Sequence, residues 1–251
     1  MKKILILCSL FTLLGCDLEE SLDCVQAAGD IVQEEFLLDE FRKILVFQRV
    51  ELIVQKGPEQ KVIVETGDNL INEVNLKVVD STLFISDRNS CNLVRDFGIT
   101  KVFVTSPNLK EIQNSSERTV RSIGVLEYER LDLISDDRED EDAFRSVGDF
   151  DVDLKVDQLS VVSNGISEFY LRGRASFANI GIFSGDSRVE AADLDIGRLT
   201  IFHRGSNKVT VRPRLSIRGT ITGLGDVVAK NRPDFIEVEE LFRGRLIFEE
   251  D

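Results

Sequence analysis

Apolar and polar residues alternate along most of the chain, and from about Leu159 to Val227 the alternation repeats as a unit. The first unit reads Leu159-Ser-Val-Val-Ser-Asn-Gly165-Ile-Ser-Glu-Phe169-Tyr-Leu171. The next three run from Asn179 to Ala191, from Leu199 to Val211 and from Ile217 to Ala229. In each, a Gly is followed four residues later by Phe or Val, and two residues further on by another apolar residue. The glycines are Gly165, Gly185, Gly205 and Gly223, so the steps are 20, 20 and 18. A fixed period of this length predicts stacked units, none of which can bury its own apolar face. Strand, Gly turn, strand describes one coil of a β-solenoid. Neighbouring strands lie about 4.8 Å apart, so like residues stack on like. Phe169, Val189 and Val209 then predict one ladder, and Leu171, Ala191 and Val211 a second. The glycines supply tight corners, where a residue without a Cβ accepts positive φ. The expected fold is all-β, a right-handed parallel β-helix or β-solenoid preceded by a β-hairpin region.

Upstream, Phe41 to Gln55 predicts two strands around a kink. A turn at Lys56-Gly57-Pro58-Glu59 leads to a returning strand, Lys61 to Glu65, which reads as a hairpin. Asp68 and Asn69 can cap a short helical turn. Val74 to Val78 and Thr82 to Ile85 predict a second hairpin around Asp80-Ser81. Thr100 to Val104 is a strand closed by Ser106-Pro107-Asn108. Leu109 to Ile112 with Thr119-Val120 reads as a degenerate first coil, and Leu131 to Asp137 opens another. The charged run 138–142 interrupts it and is expected to bulge outward. Residues 36–232 read as one domain, strands over 36–104 and coils over 105–232. Residues 233–251 form a final strand pair around Arg243-Gly244, with Glu237, Glu239 and Glu240 blunting an open sheet edge.

The beginning of the chain has a different pattern. Lys2-Lys3 precedes an 11-residue apolar run, Ile4 to Leu14, too short to span a bilayer and suited to a signal peptide over residues 1–15. It ends Leu13-Leu14-Gly15-Cys16, which resembles a lipoprotein signal in which Cys16 takes acyl chains and anchors the protein. The alternative is an ordinary secretory signal with an incidental Cys16. Residues 16–35 read as an acidic, lipidated tether. Asp17-Leu18-Glu19-Glu20 resembles the surface-export signals of bacteroidete-type lipoproteins. An outer-membrane position is expected, surface-exposed in one reading and periplasm-facing in the other. Cys24 and Cys91 remain in an oxidising compartment, which favours a disulfide over free thiols.

Composition narrows the partners. Asp and Glu number 45 against 31 Lys and Arg, a net charge of −14, and such a surface repels nucleic acid. With no Trp, two Tyr and 16 Phe, ring burial falls to Phe, which needs no hydrogen-bond partner inside a stack.

Several features in order resemble the putative auto-transporter adhesin, head GIN-domain family. They are Asp39-Glu40-Phe41-Arg-Lys-Ile44 before a Val-rich strand, Gln55-Lys-Gly57, Glu65 to Leu70, Asp80 to Ile85, and Val102-Phe-Val104 followed by Pro107-Asn-Leu109 and Ile112. Ala28-Gly29-Asp30-Ile31-Val32 and Cys91-Asn-Leu-Val-Arg also fit. The resemblance covers about residues 24–232. It implies a lipid-anchored bacterial β-solenoid with an adhesin-like role and brings no catalytic residues. Ser115-Ser116-Glu117-Arg118 stands where many relatives carry a Gly-rich turn.

Candidate chemistry is sparse. The one histidine, His203, reads as a surface corner residue beside Gly205, and no nucleophile motif accompanies it. Gly219-x-x-x-Gly223-x-Gly225 lacks the Lys-Ser/Thr of a phosphate loop. Asp136, Asp137, Glu139, Asp140 and Asp142 are a weak candidate calcium loop without EF-hand spacing, and a solvated loop is the plainer reading. Asp149, Asp151, Asp153 and Asp157 alternate with apolar residues, as the outer face of a strand does. Asp186 and Asp226 sit near corners two coils apart, a poor spacing for a carboxylate pair. No cofactor is expected. The expected function is non-catalytic: an envelope module binding glycan or protein on its outer face. The alternatives are a polysaccharide-active β-helix enzyme and a passive structural protein. Aligned exposed polar residues across coils would favour binding; a groove with two facing carboxylates would favour the enzyme.

Overall fold

The computed structural model describes residues 27–89, 99–137 and 145–249. Among them are sixteen strands in one mixed sheet, a short 3-10 turn at Ile71–Glu73, and no α-helix. The early strands are β1 (Ile31–Phe36), β2 (Lys43–Val46), β3 (Glu51–Lys56), β4 (Lys61–Gly67), β5 (Val74–Val79), β6 (Thr82–Asp87), β7 (Lys101–Ser106) and β8 (Glu111–Asn114). Five long strands follow: β9 (Val120–Ser135), β10 (Phe150–Ser163), β11 (Glu168–Ile182), β12 (Arg188–His203) and β13 (Val209–Ile221). The chain closes with β14 (Val227–Ala229), β15 (Phe235–Glu240) and β16 (Leu246–Phe248).

The long strands pair in sequence order, all parallel. Phe150 lies over Val120, Phe169 over Phe150, Val189 over Phe169, Val209 over Val189, Val227 over Val209 and Leu246 over Val227. This is the first ladder predicted from the repeat. The six residues from Val120 to Val227 in it are fully buried, so each strand contributes one apolar rung to a continuous core. Ala191 lies over Val211 and Val211 over Ala229. Leu171 pairs with Val152, but the register slips between Tyr170 and Gly173, a bulge that re-aims the strand. Alternation breaks where two consecutive residues face out, Asp157-Gln158 in β10 and Ser176-Phe177 in β11. Each break marks a bend.

At the end of β9 and β10 the core turns polar. Ser135 and Ser167 hydroxyls lie 2.6 Å apart, and Ser163 and Ser187 hydroxyls 2.7 Å apart, all four buried. Each pair satisfies itself where no water reaches.

The N-terminal strands differ from the hairpin pattern in one respect. β3 and β4 do not pair; β7 lies between them, parallel to β3 and antiparallel to β4. β7 inserts two buried valines, Val102 and Val104, beside Leu52 and Val54 on one side and Val62 and Val64 on the other. The residues between β3 and β4 therefore bridge two strand spacings, about 10 Å. The second hairpin does form: β5 and β6 pair antiparallel around Asp80 and Ser81, whose φ values of 49° and 61° suit a two-residue turn. β1 begins at Ile31, before the alternation starts at Phe36, and pairs antiparallel with β4. No helix among the described residues is long and apolar enough to cross a membrane.

Candidate functional site

The parallel register lines up outward residues as strictly as inward ones. Gln158, Phe177 and Arg198 form one outer row, which ends at the buried Ser216. Ser160, Asn179, Thr200 and Arg218 form the next. Asp132 pairs with Ser160 and Arg130 with Gln158, extending both rows onto β9. Phe177 is 49% exposed, with the Arg198 guanidinium 5.3 Å from its ring centre. The rows flank a shallow groove of about 590 Å³. An exposed ring beside aligned hydroxyl and amide groups offers a stacking platform and hydrogen-bond partners together.

A larger groove, about 970 Å³, adjoins it and shares Arg130 and Gln158. Its floor includes Leu109, Tyr128, Val156 and Ala175, and small residues Ser176 and Gly197 leave it open. Tyr128 is buried, its hydroxyl donating to the Ser106 carbonyl at 2.9 Å. Burial pushes its phenol well above the ordinary range. Lys56 lies 4.7 Å from the centre of that ring and donates to the Pro107 carbonyl at 2.6 Å. On the rim Lys155 pairs with Glu127, whose carboxyl the lysine's hydrogen bond holds below its usual value. Arg214 donates to Asp195 at 2.9 Å.

The carboxylates singled out from the sequence are occupied by structural partners. Asp137 accepts from Ser146 Oγ at 3.0 Å and Asn164 Nδ2 at 2.6 Å, which ties two corners together. Asp136 is described beside it, while Glu139, Asp140 and Asp142 lie outside the described residues. Among the described residues no three His, Cys, Asp or Glu side chains are grouped to hold a metal ion. Asp186 accepts from Ser206 Oγ at 2.8 Å and Asp226 from the Arg245 amide at 2.8 Å. Asp151 accepts from Arg121 and Arg172, each at 2.7 Å, and Arg172 reaches Asp153 at 2.7 Å. Burial raises the Asp149 carboxyl above its usual value, and that carboxyl accepts from the Glu168 amide at 2.8 Å.

His203 is a correction to the sequence reading. It is fully buried rather than a surface corner residue, in register between Ile182 and Ile221. Its Nε2 faces the Asn207 carbonyl at 3.0 Å, which places the proton there and leaves Nδ1 without a partner. Burial lowers its pKa and keeps it neutral. Gly165, Gly185, Gly205 and Gly223 do stand one above another, but Gly185 alone of the four has positive φ, 78°. The column has a different cause. A Cβ on Gly185 would lie 2.1 Å from the Gly165 carbonyl oxygen, and one on Gly223 2.2 Å from that of Gly205. Each corner receives backbone hydrogen bonds from the next: the Asp186 amide donates to Gly165 at 2.8 Å and the Ser206 amide to Gly185 at 3.0 Å. Cys16, Cys24 and Cys91 lie outside the described residues.

The outer rows were not singled out from the sequence. Their signal is present there: Gln158, Phe177 and Arg198 recur at steps of 19 and 21, but they differ in chemistry, so no consensus marks them.

A family model for the putative auto-transporter adhesin, head GIN domain matches residues 40–233. Three crystal structures are similar in fold. A putative adhesin from Bacteroides fragilis is 22% identical with a TM-score of 0.78, over 89% of this chain and 99% of that one. A putative adhesin from Parabacteroides merdae is 17% identical with a TM-score of 0.60, over 88% of this chain and 96% of that one. A putative lipid binding protein from Parabacteroides distasonis is 14% identical with a TM-score of 0.59, over 87% and 97%. At these identities the likeness concerns the fold alone. No curated protein matches the chain.

Proposed function

We propose that this chain, which belongs to the putative auto-transporter adhesin, head GIN-domain family, is a non-catalytic envelope module that holds a glycan against the outer face of its parallel strands. The observation carrying this reading is the alignment of Ser160, Asn179 and Thr200 beside exposed Phe177. Sugar rings present apolar faces and hydroxyl edges, and this face offers a matching ring and matching polar groups. The carboxylates considered for catalysis are held by arginines, amides and hydroxyls, and the histidine is buried. The test is a glycan array on the purified chain and on its Phe177→Ala and Asn179→Ala variants. Signals on particular glycans that both variants weaken support the reading. An array without signal leaves the passive structural role.

In the same reading the parallel strands wind as a β-solenoid. Five residues join β11 to β12, yet the two are parallel and 15 and 16 residues long. A straight strand of that length spans about 50 Å, and five residues reach at most about 18 Å. Each strand must therefore curl back toward its own start.

Anchoring through acyl chains on Cys16 completes the proposal, with outer-membrane placement and surface display. Cys16→Ser should abolish acylation and membrane fractionation; unchanged fractionation would refute it. Protease shaving of intact cells should remove the domain, and full protection would place it facing the periplasm. A Cys24–Cys91 disulfide should appear as a cross-linked peptide after digestion without reductant.

A further inference from the structure

The larger groove reverses the charge of the molecule. The whole chain carries 45 acidic against 31 basic residues, yet seven Lys and Arg line this groove against four Asp and Glu. Two of those four acids are already neutralised: Glu127 by Lys155 and Asp195 by Arg214. Asp157 accepts from Ser176 Oγ, and Glu129 is the fourth, exposed at the rim. Arg42, Lys110 and Arg174 make no side-chain hydrogen bond or ion pair with any described residue, and Arg174 is drawn only toward Glu127, which Lys155 already holds.

The register sharpens the point. Lys155 and Arg174 are direct partners on adjacent parallel strands. Like charges in that position oppose pairing, and the single carboxylate of Glu127, the partner of Lys155 on β9, offsets one of the two cations. Arg174's other neighbour, Asp195, is taken by Arg214. Arg42 precedes β2 and Lys110 precedes β8, so cations from distant parts of the chain converge where folding alone gives no reason for it.

We infer that this groove binds the acidic groups of a glycan, sulfate or uronate carboxylate, whose chain continues onto the face proposed above. The inference rests on that reading. Planar guanidinium forks on Arg42 and Arg174 match the paired oxygens of both anions. Arg130 and Gln158 line both grooves, so one chain can occupy the two without a break. The negative remainder of the surface repels polyanions, so binding is confined to this place.

The test uses dextran, carboxymethyl-dextran and dextran sulfate of one length, with inorganic phosphate as a separate arm, titrated calorimetrically into the purified chain. The inference predicts that both charged polymers bind, that neutral dextran does not match them, and that affinity falls as salt rises. The Lys110→Ala/Arg174→Ala variant should lose about tenfold or more in affinity for the charged polymers, with an unchanged melting temperature. Equal affinity for neutral and charged polymers, or full affinity in the double variant, overturns it. Phosphate binding as tight as that of the polymers reduces the groove to a simple anion site and also overturns it. If the array finds neutral glycans while the charged dextrans fail, this inference falls alone. A silent array with charged dextrans bound in the groove overturns the reading of the Phe177 face and leaves that of the groove.

Discussion

Phe150 and Phe169 lie one above the other, ring centres 5.0 Å apart and planes within 8° of parallel. Both are fully buried, and they are register partners on β10 and β11. Truncation leaves a ring-sized void that neighbouring strands cannot fill, because their backbones are fixed by the parallel ladder. Phe169→Ala should cost about 3–5 kcal/mol, measured by urea denaturation. A loss below about 1 kcal/mol would mean the column is not packed as described.

The corner glycines should differ in a defined order. Gly185→Ala combines positive φ with a Cβ 2.1 Å from a carbonyl, and Gly223→Ala places its Cβ 2.2 Å from another. Both obstacles are backbone, and each change should cost about 1–3 kcal/mol. Gly205→Ala meets first the Ile182 Cγ2 at 2.8 Å, a side-chain methyl that can move. It should cost least of the three, and thermal melting of all three variants decides the order.

The buried hydroxyl pair Ser163–Ser187 predicts a non-additive cycle. Ser163→Ala strands the Ser187 hydroxyl and should cost about 1–3 kcal/mol, while the double Ala variant should recover part of that loss. Additive single and double losses would show that the hydroxyls do not depend on each other.

His203 sets a pH dependence. Burial holds its pKa below the usual 6.5, so the folded ring stays neutral where the unfolded ring begins to charge. Above about pH 6.5 both states are neutral and this contribution is complete. As pH falls below it, the unfolded chain takes up the proton first, and stability drops until the folded ring titrates too. His203→Leu should flatten that part of the curve, checked by denaturation from pH 7.5 to 5. An unchanged slope would assign the acid sensitivity to carboxylates.

What the sequence reveals depends on whether a partner is fixed by local repetition. The Phe169, Val189 and Val209 ladder is legible because a side-chain period of two and a coil step of 20 coincide. β3 and β4 look like a hairpin because they are adjacent and alternating; nothing local announces that β7, some 40 residues on, separates them. His203 is misplaced when grouped with Arg204 and Gly205. Aligned by register it falls under Ile221 and over Ile182, and an inward position follows. The basic groove is the least legible feature. Arg42 and Lys110 carry no periodic mark and meet Arg174 only once the strands stack.

A chain built from similar units can also thread wrongly, docking a strand one unit too early or too late. The apolar rungs alone would tolerate this, since valine fits valine at many levels. The serine pairs would not. Displaced by one level, the hydroxyl of Ser163 would lose Ser187, the buried hydroxyl it pairs with. Two hydroxyl pairs at successive levels thus act as a checksum on assembly, making the correct threading the one in which every unit finds its own address.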